Sequence, residues 1–155
     1  MRRLILGVAA ACAIVALTAS GAPAKNGNGV MCVLHARLTT TNETTGSTST
    51  ARGHTQIKVR ANGTIEFKTH ILNQDGETFV AGHIHQAPVG VAGPIVVPLF
   101  VSPTPATNAR HIRQSGVATP HADTTGAALC TNPSAYYVNY HTTAFTGGAI
   151  RGQLH

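Results

Sequence analysis

The chain has 155 residues, with eleven Lys and Arg against five Asp and Glu, nine His, no Trp, and a formal charge of +6. That length fits one domain and leaves no room for a second once an export leader is removed. The basic residues after the leader (Lys25, Arg37, Arg52, Lys58, Arg60, Lys68, Arg110, Arg113, Arg151) are scattered, with no run and little aromatic interleaving. This pattern argues against a nucleic-acid surface and for a solvated basic face, with some attraction to anionic polymers or lipid head groups at low salt.

Arg2 and Arg3, an apolar run from Leu4 to Leu17, and small residues ending in Ala22-Pro23-Ala24 follow the order that signal peptidase requires. Residues 1–24 are therefore expected to be a signal peptide, with residues 25–155 as a single domain in a secreted or periplasmic protein. The run is shorter than the roughly 20 apolar residues that span a bilayer, so no transmembrane segment is expected after cleavage. Cys12 lies inside the run, not at its end, where a lipid-bearing cysteine belongs. Removing 24 of the 155 residues leaves 131, lowers the formal charge from +6 to +4, and reduces three cysteines to two. Cys32 and Cys130, an even pair in an oxidising compartment, are expected to form a disulfide.

Period-two patterning then recurs along the chain. In 32–38, Cys32, Leu34, Ala36 and Leu38 alternate with Val33, His35 and Arg37. From His54 to Ala61 the polar set His54, Gln56, Lys58, Arg60 alternates with Thr55, Ile57, Val59, Ala61. Asn62-Gly63 suits a tight hairpin turn into a strand in which Ile65, Phe67, Thr69 and Ile71 share a face. Residues 78–85, 95–101, 136–141 and 149–154 complete the expected strands. The Thr/Ser-rich stretch 39–51 is expected to be a mobile polar loop, and 102–135, with four prolines, a long irregular one. The predicted fold is all-β: a small antiparallel β-sandwich or barrel of about seven short strands.

Two segments carry a family likeness. Ala81-Gly82-His83-Ile84-His85-Gln86-Ala87-Pro88 with its continuation to Val96, and Tyr137-Val138-Asn139-Tyr140-His141-Thr142 followed by Gly148-Ala149-Ile150-Arg151-Gly152-Gln153-Leu154, resemble the signature of the CHRD domain. This module was first described in chordin and is found in many secreted microbial proteins. The likeness extends over roughly residues 31–154, and it implies a β-rich extracellular module with no settled activity. The family usually places Glu just before the Ile-Arg-Gly-Gln stretch. Ala149 stands there in this chain, so a carboxylate is expected to be missing.

His83 and His85, at i and i+2 on a strand, share one face and can share a metal ion. The same parity puts Val80 and Ile84 inward, and it puts Tyr137, Asn139 and His141 outward with Arg151 and Gln153. If the three strands are neighbours, His83, His85 and His141 form a candidate site for zinc or copper within a polar shell of Asn139, Arg151 and Gln153. The other histidines are expected to be solvated, and Tyr136, Tyr137 and Tyr140 to be packing residues. Two function classes follow. One is a non-enzymatic extracellular binding or structural module that meets another protein or a surface polymer and holds a metal as an added property. The alternative is a copper/zinc metalloprotein with superoxide dismutase-like activity, suggested by the His-Ile-His strand. A dismutase also needs an aspartate ligand, and Asp75 and Asp123 are the chain's only aspartates.

Overall fold

Alternation sends successive side chains to opposite faces of a strand, and one apolar face must be covered. The computed structural model describes residues 28–101 and 107–155, so the expected signal peptide lies outside the described residues. Eight strands are formed: β1 (Val30–Thr39), β2 (Arg52–Arg60), β3 (Ile65–Leu72), β4 (Phe79–Gln86), β5 (Ile95–Val101), β6 (His111–Ala118), β7 (Tyr136–Thr142) and β8 (Ile150–Gln153). They make one antiparallel sheet in the order β5-β4-β7-β8-β1-β2-β3-β6. Its edges, β5 and β6, approach each other, and the His121 N–H donates to the Val96 carbonyl at the seam. The result is a nearly closed barrel, in agreement with the all-β expectation.

The inward set fills the barrel. Leu38, Ile57, Ile65, Ile71, Phe79, Ile84, Val97 and Ile150 are wholly buried, each worth roughly 1.5–3 kcal/mol of transfer free energy. One polar chain crosses this core: Tyr140 donates its hydroxyl proton to Thr69 Oγ1 at 2.8 Å, and Thr69 in turn bonds Thr55 at 2.8 Å. The β2–β3 turn follows the Asn-Gly expectation in part. Gly63 alone takes positive φ (+85°), and its N–H closes the turn onto the Arg60 carbonyl. The loop is therefore longer than a two-residue hairpin.

Three expectations are corrected. Residues 102–135 are not one irregular loop, because they contain β6 and a short helix, α1 (Gly126–Thr131). The inner face of β6 reads Ile112, Gln114, Gly116, Ala118, and Gly116 lies against the Phe67 ring; only its end positions look apolar in the sequence. The Thr/Ser-rich stretch is anchored, not loose. Thr45 and Ser47 donate to the carbonyls of Gly148 and Ala149 at 2.9 and 3.0 Å, and Asn42 donates to that of Arg151 at 3.2 Å. Finally, an irregularity in β4 between Phe79 and Ala81 puts Phe79, not Val80, in the core.

α1 closes one end of the barrel with Leu129, and Thr125 caps it by accepting from the Ala128 N–H. Cys130 on α1 is bonded to Cys32 on β1, with Cα atoms 5.9 Å apart and a sequence separation of 98. Among the described residues no helix is long and apolar enough to cross a membrane.

Candidate metal centre

β4, β7 and β8 are sheet neighbours, as the parity argument required. His83 lies opposite Asn139, His85 opposite Tyr137, and Asn139 opposite Arg151. All six predicted site residues therefore project from the outer side of the same three strands. That side is not an open surface. The segment 87–93 folds back over His85 and Arg151 and the connection 143–149 over Asn139 and His141, so that these four are buried and His83 is half-buried.

One nitrogen from each of His83, His85 and His141 lies within 4.8 Å of the others. The ring centroids are 5.0 Å (His83–His141), 5.7 Å (His83–His85) and 5.9 Å (His85–His141) apart. Backbone carbonyls fix two of the tautomers. His85 Nδ1–H donates to the Gly93 carbonyl and His141 Nδ1–H to the Thr146 carbonyl, each at 2.9 Å. Both Nε2 atoms are thereby left as lone-pair donors. His85 Nε2 is buried with no partner at all, and His141 Nε2 lies 3.1 Å from His83 Nδ1, which must carry the proton between them. Carbonyl-oriented imidazoles that present the second nitrogen inward are the arrangement metal-binding histidines adopt. Burial, followed by the proximity of His141 and His85, holds His83 down to about 4; burial also lowers His85 and His141. The three rings are therefore neutral at neutral pH, as ligands must be.

The predicted polar shell divides by role. Arg151 donates to the Val91 carbonyl at 3.1 Å, and Gln153 donates to those of Ala87 and Ser134 at 2.8 and 2.7 Å. These two residues hold the covering segment down. Asn139 faces the other way, toward Gly147 and Gly148.

Two residues of this site were missed. Tyr137 is not simple packing: its ring stacks on His85 at 4.9 Å and carries the Arg151 guanidinium 3.5 Å from its centroid, while its hydroxyl accepts from the Gly93 N–H. Its outward parity, shared with Asn139 and His141, was the available signal. The second is Glu43. The carboxylate missing at Ala149 is supplied from the Thr/Ser-rich loop, next to Arg151. Glu43 Oε1 and Asn139 Oδ1, both buried without partners, lie within 2.8 Å of the point where a Gly148 Cβ would sit. Gly148, at φ +140°, has none, and a side chain there would displace both groups. Burial raises the Glu43 carboxyl to about 7 against the lowering pull of Arg151. No sequence spacing links Glu43 to Arg151.

The fold and site together define a small disulfide-tied β-barrel with a buried three-histidine group under a latched loop. The chain belongs to the CHRD domain family, whose model matches residues 34–154. CHRD domains are in general non-enzymatic modules. No curated protein and no solved structure matches the chain.

Proposed function

We propose that this protein is an exported CHRD-domain binding module that holds one zinc or copper ion through His83 Nδ1, His85 Nε2 and His141 Nε2. The partnerless, buried His85 Nε2 carries the reading, because an imidazole lone pair sealed away from water needs a proton donor or a metal to offset its desolvation. A metal takes the place of the proton now held between His83 and His141. His83, the most accessible of the three, leaves a fourth coordination position for water or a partner's donor atom. Export is supported by the leader-like segment 1–24 and by the disulfide. The dismutase likeness stays confined to the His-Ile-His strand: Asp75 is exposed and bonded by the Thr50 hydroxyl, and Asp123 is exposed.

The test is calorimetric titration of chelator-treated protein with zinc and with copper(II). One saturable site per chain is expected, lost in His83→Ala and His141→Ala proteins that retain the parent's circular dichroism. Since burial lowers all three imidazoles below the ordinary histidine value, His83 to about 4, binding should persist at pH 6 and fail as pH approaches about 4. No saturable binding by the parent would refute the site.

A further inference from the structure

Scattered in sequence, the basic residues are gathered by the fold. Of the eight Lys and Arg among the described residues, six (Arg37, Arg52, Lys58, Arg60, Lys68, Arg113) project from the outer side of β1, β2, β3 and β6. These four strands carry one carboxylate, Glu66, and it is occupied by Arg60 at 2.8 Å and Lys58 at 3.8 Å. Two cross-strand rows form the floor of a trough. One runs Arg37, His54, His70, Arg113, and the other His35, Gln56, Lys68, Ser115. A cavity of about 500 Å³ over the second row adjoins one of about 240 Å³ toward Arg37 and Arg52, with His54 and His70 lining both.

We propose that this trough binds an acidic polysaccharide, carboxylated or sulfated. The excess of cations over carboxylates selects a polyanion. Two joined cavities suit an extended chain better than a single small anion. Hydroxyl groups suit the floor as well: His70 Nε2, between the two cavities, is buried without a partner, and a sugar hydroxyl can meet a ring nitrogen as donor or acceptor where an ionised phosphate oxygen only accepts. The lining holds no Phe, Tyr or Trp on which bases could stack, which disfavours single-stranded nucleic acid. The trough lies on the opposite half of the sheet from the histidine group and does not depend on it.

The experiment uses fluorescence anisotropy of labelled polyuronate and sulfated oligosaccharides with the exported protein, in chelator, at low and high salt. Neutral dextran, duplex DNA and phosphatidylglycerol vesicles serve as comparisons. Saturable binding of at least one acidic oligosaccharide is expected, weakening with salt. Lys68→Gln with Arg113→Gln, both exposed, should weaken it about tenfold. Gln86→Glu with Thr131→Glu, which changes net charge equally from exposed positions off the trough, should leave it unchanged. Absence of binding, equal weakening by both pairs, or tighter binding to DNA or vesicles than to either oligosaccharide would overturn the proposal. The chelator keeps this outcome separate from failure of the metal site.

Discussion

Glu43→Gln removes one ionisation while nearly preserving shape, and so isolates what burying a carboxyl beside Arg151 does to stability. In the folded protein burial raises that carboxyl from 4.5 to about 7, the Arg151 guanidinium offsetting only part of the effect. The native state thus holds the proton more tightly than the unfolded chain. The linked stability is fully present below 4.5 and lost as pH rises through about 7. At 1.36 kcal/mol per unit, the ceiling is about 3.4 kcal/mol, and solvent screening of a half-buried group reduces it to about 1–2 kcal/mol. The total stability curve does not show this directly. His83, His85 and His141 are all lowered by burial, so they contribute stability that is lost as pH falls below 6.5, over an overlapping range and with the opposite sign. The useful observable is the difference between parent and variant in urea melts with chelator. It should be near zero at about pH 4, with the variant more stable by about 1–2 kcal/mol near pH 8. A difference that stays flat with pH, or a variant less stable near pH 8, would show that the charged Glu43–Arg151 pair outweighs the cost of burial.

The disulfide closes a loop whose ends are 98 residues apart. The Cys32→Ser, Cys130→Ser protein should therefore lose about 4–5 kcal/mol in the chain-entropy account, read as a drop in melting temperature that reductant reproduces in the parent. An unchanged melting temperature refutes the bond's role. Tyr140→Phe removes the donor to Thr69 while keeping the ring in the core and the Thr55–Thr69 bond intact. It should cost about 1 kcal/mol by chemical denaturation, and a loss several times larger would mean that the polar chain acts as a unit.

Where alternation was strict, the sequence was readable: β3 buries one complete face, and β1 from Leu34 and β2 from Thr55 bury every second residue. β6 was not readable because a polar Gln114 and Gly116 occupy inward positions, so the period of two disappears from the residue types. In β7 parity correctly separated the core set from the site set, yet all seven residues are buried. Parity reports which side of the sheet a residue leaves by, not whether something covers that side. Here the covering segment is held by side-chain donors reaching backbone carbonyls, and carbonyl acceptors leave no mark in sequence. Glu43 was invisible for a related reason, since it joins the site because Asn42, Thr45 and Ser47 tie its loop to the carbonyls of Arg151, Gly148 and Ala149.

The outward side of one sheet thus has two different fates, and the loops decide between them. Between β2 and β3 the connection is a short turn, so the cationic rows stay in water, where like charges are screened. Beside β4, β7 and β8 the segment 87–93 and the connection 143–149 cover the strands, and every polar group beneath them needs compensation. Arg151, 2% exposed, receives it from the Tyr137 face, the Val91 carbonyl and the neighbouring Glu43. By pinning the covering segment, Arg151 and Gln153 also keep the Gly93 carbonyl where it sets the His85 tautomer, while Thr45 and Ser47 restrain the stretch after Thr146, whose carbonyl sets that of His141. The direction in which the imidazole lone pairs point is therefore governed by residues outside the three-histidine group. This is why the His-Ile-His spacing by itself says little about coordination, and why its meaning depends on carbonyls at positions 93 and 146.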